Sequence, residues 1–144
     1  MPPTTHVVCP HCQAVNRIPA ERLPDGPQCG RCKQPLIDGR PIAVDTAAFD
    51  RHLANDSRPL VVDFWAPWCG PCRTMAPAFE AAAAELAPEV RLMKVNTEEA
   101  QALAARYNIR SIPTLIAFRD GREVARISGA MDASRLVAWV RANA

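Results

Sequence analysis

The six cysteines of this 144-residue chain fall into three pairs of identical spacing: Cys9 and Cys12, Cys29 and Cys32, Cys69 and Cys72. Two cysteines with two residues between them can close a small disulfide ring, open to a dithiol, or offer two thiolates to a metal. The surroundings of each pair decide between these chemistries. Trp68-Cys69-Gly70-Pro71-Cys72 follows the apolar run Leu60-Val61-Val62 and the segment Asp63-Phe64-Trp65-Ala66, and a helical pattern comes after it. Strand, tight turn and helix start put Cys69 at or just before a helix N-terminus, with Pro71 suited to the first helical position, where its missing N–H is no loss. Unpaired N–H groups and the positive end of the helix dipole favour a thiolate there. The thiolate is the nucleophile of disulfide exchange, so Cys69 is the expected attacking sulfur and Cys72, one turn on and facing inward, the resolving partner.

The other two pairs, Cys9-Pro10-His11-Cys12 and Cys29-Gly30-Arg31-Cys32, are separated by 16 residues. Each pair can bend the backbone into a knuckle with two sulfurs, and two knuckles complete a tetrahedral site, the pattern of a zinc ribbon binding one Zn2+ through Cys9, Cys12, Cys29 and Cys32. Residues 1–41 hold few large apolar side chains, among them Val7, Val8, Val15, Ile18, Leu23, Leu36 and Ile37, too few to fold about 40 residues without a staple. A four-thiolate zinc centre is net negative, and Arg17, Arg31 and Lys33 are available to offset it. His6 and His11 are possible ligands, but with four cysteines present His11 is expected at the surface of its knuckle. Disulfides within these pairs are the competing reading, disfavoured in a reducing compartment.

These sites need elements to hold them. The turn-rich stretch Asp38-Gly39-Arg40-Pro41 is the expected boundary between a domain of residues 1–41 and one of 42–144. Ile42-Ala43-Val44 reads as a short strand, followed by a helix capped by Asp45 or Thr46 that buries Phe49 and Leu53. Residues 60–66 form the central strand, whose continuous apolar run suits a parallel strand covered on both faces. Asp63 is the one charge within it. The helix of about residues 72–87 buries Cys72, Met75, Phe79, Ala82 and Leu86 at steps of three and four, is expected to kink at Pro77, and ends at Pro88. Strand 91–95 comes next, then a helix capped by Thr97 and ended by Asn108 in the left-handed conformation. Strands 114–118 and 123–128 flank a hairpin turn at Asp120-Gly121. Asp132 opens a last helix with Leu136, Trp139 and Val140 inward. The fold class is α/β, a mixed, centrally parallel sheet flanked by helices.

Composition excludes several function classes. A hydrophobic fraction of 49% is far from that of a disordered chain, and a net charge of +2 gives no reason to invoke nucleic acid or a membrane surface. Residues 1–6 lack the apolar core of a secretory leader, and no stretch approaches the roughly 20 apolar residues of a membrane span. The expectation is a cytoplasmic protein whose cysteines serve metal or redox chemistry.

Asp63-Phe64-Trp65-Ala66, Trp68-Cys69-Gly70-Pro71-Cys72 and Ile112-Pro113-Thr114 closely resemble the hallmarks of the thioredoxin family, over roughly residues 42–144. With the ribbon, the chain resembles the thioredoxin 2 type, which carries such an N-terminal zinc extension. The resemblance implies a thioredoxin fold and a protein-disulfide reductase with a redox-active Cys69–Cys72 disulfide and no bound organic cofactor. It implies that Asp63 is a buried aspartate beneath the disulfide that handles the proton of Cys72 by way of water, with a pKa raised by burial. Lys94 matches the family's lysine near that aspartate. The Ile112–Pro113 bond is implied to be cis, leaving the Ile112 backbone free to pair with an extended substrate beside Cys69. Gly129 matches a glycine that leaves room for substrate, and Trp68, Gly70 and Pro71 complete the implied substrate surface. Implied partners are an NADPH-dependent flavin reductase and disulfide-containing client proteins, with the protein acting as a monomer. Thr97 departs from the commonest pattern, where an acidic residue is frequent. Cys9-Pro10-His11-Cys12 also matches the active dipeptide of periplasmic thiol oxidases, without their surrounding strand and helix. A zinc-dependent chaperone or binding module, and a disulfide oxidase or isomerase, are the alternative functions; Gly70-Pro71 resembles the reductants.

Overall fold

The computed structural model describes residues 4–144. Its sheet is built from β3 (Ile42–Ala43), β4 (Leu60–Trp65), β5 (Arg91–Asn96), β6 (Thr114–Arg119) and β7 (Arg122–Ser128), in the order β3-β5-β4-β6-β7. β3 and β4 each run parallel to β5, while β4–β6 and β6–β7 are antiparallel, so the mixed sheet of the expectation is present. Preceding it, β1 (Thr4–Val8) and β2 (Val15–Pro19) form a separate antiparallel ribbon.

Alternation along β4 sorts its side chains between two cores. Val62 and Phe64 point towards α1 (Thr46–Asn55) and α3 (Gln101–Arg106), where Phe49, Leu103 and Phe118 join them. Phe49, Tyr107 and Phe118 meet edge-on there, with ring centroids 5.3–5.8 Å apart. Val61 points the other way, towards α2 (Gly70–Leu86) and α4 (Ala133–Asn143), which supply Met75, Phe79, Leu86, Leu136 and Val140. Trp139, expected inward, is only half-buried at the rim of this core. Asp63 shares the face of Val61 and is 1% exposed.

Helix starts and stops follow their chemistry, with two differences from expectation. Asp45 and Asp132 cap α1 and α4, accepting from the N–H groups of Ala48 and Arg135. The helix α2 begins at Gly70, so Pro71 is its second residue, and it continues through Pro77 to Leu86. Thr97 does not cap α3, which starts four residues later, at Gln101. The Asn96 side chain takes the N–H of Glu98 and its carbonyl takes those of Glu99 and Ala100, so the chain closes a local turn before the helix begins. The Thr97 hydroxyl instead donates to the Trp65 carbonyl. Asn108 is left-handed with φ 53°, as expected, and Asp120 and Gly121 both have positive φ in the β6–β7 turn.

Candidate redox site and four-sulfur cluster

The redox pair sits where β4 hands over to α2. Cys69 is the N-cap residue of α2, in extended conformation, and its sulfur accepts the N–H of Cys72 at 3.2 Å. Its own N–H is tied to the Ala66 carbonyl, which fixes the tight turn. Cys69 and Cys72 are joined as a disulfide with Cα atoms 5.2 Å apart. Cys69 is 4% exposed and Cys72 2%, so burial does not separate the two sulfurs; placement at the helix start does. Trp68 stands beside them 67% exposed, while Ala66, Trp65 and Ile112 pack around the sulfurs.

The β6 end closes the other side. The Ile112–Pro113 bond is cis, Pro113 is buried, and the Ile112 carbonyl lies 3.8 Å from the Cys69 sulfur. The Thr114 hydroxyl binds the Ser111 carbonyl and the Ser128 hydroxyl, pinning this turn to β7. Gly129 donates its N–H to the Pro113 carbonyl with φ +104°, a conformation that asks for glycine. A Cβ there would meet no atom of the chain, so the space beside it is open, as is the space at Gly70.

Asp63 lies in the interior with its Oδ1 lacking a hydrogen-bond partner. Burial pushes its carboxyl up to about 7, against the opposing pull of the Lys94 charge. Lys94 is the direct register partner of Asp63 on β5, and its ammonium lies over the Trp65 ring at 4.5 Å from the centroid. The two elements thus bring together Asp63, Lys94 and Trp65 on one sheet face, next to the cysteines.

The N-terminal sulfurs converge as their spacing predicts. One sulfur from each of Cys9, Cys12, Cys29 and Cys32 lies within 4.8 Å of every other. The Cys9–Cys32 and Cys12–Cys29 sulfur distances are both 3.6 Å. A tetrahedral ion bound at Zn–S about 2.3 Å requires sulfurs about 3.8 Å apart, so the cage fits the ion. Two matching knuckles build it: the Cys9 and Cys29 carbonyls accept the N–H groups of Gln13 and Lys33, and the Cys9 and Cys29 N–H groups donate to the carbonyls of Ala14 and Gln34. Gln13 and Lys33 both have positive φ (65° and 67°), a conformation that no glycine in the sequence announced. The nearby donors are not the expected cations. Cys9 sulfur receives the N–H groups of His11 and Cys12, and Cys29 sulfur receives those of Arg31 and the Asn16 amide. Lys33 instead donates to the Gly30 carbonyl, and Arg17 and Arg31 are exposed to solvent.

Sequence reasoning missed the junction between this ribbon and the sheet. The Arg91 guanidinium donates to the carbonyls of Val8 (2.9 Å) and Leu36 (3.3 Å), both in the ribbon. Asp56 accepts the Val8 N–H and pairs with Arg58, whose guanidinium also reaches the Pro88 carbonyl. Burial works against the Asp56 charge, yet the hydrogen bond and charge of Arg58 hold its carboxyl below the usual range. His52 of α1 is buried alongside with an unpartnered Nδ1, held down to about 4 by burial and by the Arg91 charge. The available signal was Arg91 standing directly before the apolar pair Leu92-Met93 at the start of β5. This junction is at the Leu60 and Arg91 ends of β4 and β5, and Cys69 follows the opposite end of β4.

Comparison with known proteins agrees with this geometry. The family description "Thioredoxin" matches residues 40–142, and "Thioredoxin 2, N-terminal", a zinc ribbon, matches residues 8–34. Thioredoxin C-3 of Corynebacterium nephridii is 43% identical over 134 residues, 93% of this chain and 92% of its own. Thioredoxin 1 of Synechococcus elongatus is 46% identical over 65% of this chain and 88% of its own, a match of 94 residues. Among solved structures, a point-mutant thioredoxin from Halobacterium salinarum superposes with a TM-score of 0.66 at 31% identity, covering 72% of this chain and 90% of that one. With Cys69 of the Cys69–Cys72 disulfide capping α2, a cis-proline turn against it and family matches over both parts of the chain, this protein belongs to the thioredoxin family of thiol–disulfide oxidoreductases.

Proposed function

We propose that the chain reduces protein disulfides with Cys69 as nucleophile and Cys72 as resolving thiol. The observation that carries this is the Cys69 sulfur at the N-cap of α2, accepting the Cys72 N–H, with an exposed Trp68 and the Ile112 carbonyl beside it. The Cys69 thiolate attacks one sulfur of a client disulfide; the new S–S bond forms as the client bond breaks, and the released client thiolate takes up a proton. Cys72 then gives its proton to ionised Asp63 and attacks the Cys69 sulfur, expelling the second client thiolate and leaving the Cys69–Cys72 disulfide. Two electrons pass to the client. An unpartnered carboxyl that ionises near neutral pH can take and return that proton. Lys94 tunes it by charge. An extended client segment would lie along the backbone of Ile112 and Pro113, over Trp68, Gly70, Pro71 and the open space at Gly129.

The N-terminal domain, residues 1–41, holds one zinc through Cys9, Cys12, Cys29 and Cys32, and residues 42–144 carry the redox chemistry. The ion's part is to close the ribbon; the dithiol at the far end of β4 does not touch it. Electrons would come from an NADPH-dependent flavin reductase, with the protein acting as a monomer in the cytoplasm. No described helix is long and apolar enough to cross a membrane. The test is insulin disulfide reduction driven by NADPH and a thioredoxin reductase. Turnover by the full chain, lost in Cys69→Ser, is the expected result; equal turnover by Cys69→Ser would refute the assignment. A holdase assay with both redox cysteines replaced addresses the chaperone alternative, with no protection expected.

A further inference from the structure

Lys94 has Asp63, Asp45, Glu99 and the Trp65 ring around it, and its ammonium settles on the ring. Asp45 and Glu99 line the same cleft of about 220 Å3 as Lys94, yet neither forms an ion pair with it among the described residues. Both are engaged elsewhere: Asp45 caps α1 through the Ala48 N–H, and Glu99 accepts from the Asn96 amide. The ammonium instead stands over the Trp65 ring, 4.5 Å from its centroid. Trp65 lies two residues beyond Asp63 on β4 and therefore on the same face, and Lys94 is the register partner of Asp63 on β5. The ring thus anchors the cation on the strand pair that carries the buried carboxyl, and Trp65 also packs against the disulfide cluster of Ala66, Cys69 and Cys72. The Trp65 backbone is itself held, its carbonyl receiving both the N–H and the hydroxyl of Thr97.

We propose that Trp65 is a positioning residue: its ring holds the Lys94 ammonium beside Asp63 and so sets the pH at which Asp63 gives up its proton. This rests on the reading of Asp63 as the proton acceptor for Cys72. The groups that bear on Asp63 are few. β6 sets Leu115 against it, and the buried side chains that α2 and α4 bring to the core on this face, Met75, Phe79 and Leu136, carry no charge; the neighbouring cluster adds Cys69 and Cys72, which titrate only in the reduced protein. Lys94 is the charge that remains, and an untethered lysine would extend towards Asp45, Glu99 and water. The carboxyl would then lose the cation that favours its ionised form.

The experiment is an NMR titration of the Asp63 carboxyl carbon in the disulfide form, where neither redox sulfur titrates. The full chain, Trp65→Leu, Lys94→Met and the double variant are compared. Trp65→Leu is expected to move the midpoint upward by about half a pH unit, roughly threefold in proton affinity. Lys94→Met moves it upward at least as far, and in the Lys94→Met background Trp65→Leu adds nothing. Better hydration after loss of the indole would act with the opposite sign and would persist without Lys94, so the cycle separates the two causes. A midpoint unmoved or lowered by Trp65→Leu, or upward shifts that add in the double variant, overturns the proposal. If Trp65→Leu does not fold, Trp65→Phe keeps a weaker π face and carries the same test with a smaller upward shift. The pH profile of exchange should move with the midpoint. Failure of the underlying reading shows elsewhere, as an exchange rate unaffected by Asp63→Asn.

Discussion

Asp63 shows what one residue can contribute when its surroundings work against it. Burial holds its carboxyl up at about 7, well above an ordinary aspartate near 3.8. Because the folded value lies above the unfolded one, ionisation opposes folding as pH rises from about 4 to about 7. Asp63→Asn carries no such cost. The variant should be more stable than the parent by about 2–4 kcal/mol at pH 8, with the gain fading below pH 4, as read by urea unfolding across that range. It should also exchange disulfides more slowly, because the proton of Cys72 loses its acceptor. A parent as stable as the variant at pH 8 would mean the carboxyl ionises at an ordinary value. At this scale the sequence was highly informative: a lone charge in Leu60–Ala66 and a dithiol before a helix pattern both have few other uses. What it did not show was the Lys94 contact with Trp65, since nothing in spacing distinguishes a lysine over a ring from one in solvent.

Elements place these residues by ordinary means. β4 delivers Cys69 to the N-terminus of α2, and the turn before β6, pinned by Thr114 and Gly129, delivers Ile112 to the Cys69 sulfur. Gly129→Ala should cost about 1 kcal/mol in stability, from backbone strain at φ +104° and not from crowding, because a Cβ there meets nothing. Since its N–H holds the Pro113 carbonyl, the variant should also raise the KM for protein disulfides. An unchanged KM would separate Gly129 from the client surface. Strand and helix existence was legible throughout the sheet, where apolar runs and caps agree. The start of α3 was not: Thr97 followed by two glutamates reads as a helix cap, but Asn96 closes a competing turn through its side chain. Gln13 and Lys33 were equally opaque, because positive φ without glycine leaves no mark in composition.

The whole molecule is joined through buried charge. Arg91, Asp56 and Arg58 have side chains at most 4% exposed; Arg91 and Asp56 bond to Val8 and Leu36 of the ribbon, and Arg58 holds Asp56 and the Pro88 carbonyl. The ribbon's own core is small: Val7, Cys9, Cys29 and Leu36 are its buried members. Removing metal with a strong chelator should therefore disorder the ribbon and release about one zinc per chain, seen by native mass spectrometry and a zinc-sensitive dye. The sheet should stay folded on its two cores, yet with lowered stability, since Arg91 and Asp56 lose partners. Arg91→Met should mimic this in part, costing about 2–3 kcal/mol and speeding amide exchange across Val8–Gln13. Redox activity should change in degree but persist, because Cys69 lies beyond the other end of β4. A purified reduced protein without metal, with all four ribbon cysteines freely titratable, would contradict the zinc assignment. The gathering of the ribbon's four sulfurs was legible from spacing; its anchoring was not, because a single arginine on a strand does not reveal which backbone it will meet.

The most direct measurement of the division between the two sulfurs is mass mapping of trapped intermediates. Cys72→Ser and Cys69→Ser are each incubated with a disulfide-containing protein and digested without reductant. A mixed disulfide on Cys69 is expected in Cys72→Ser, and no adduct in Cys69→Ser. A client sulfur found on Cys72, in the variant that lacks Cys69, would contradict it.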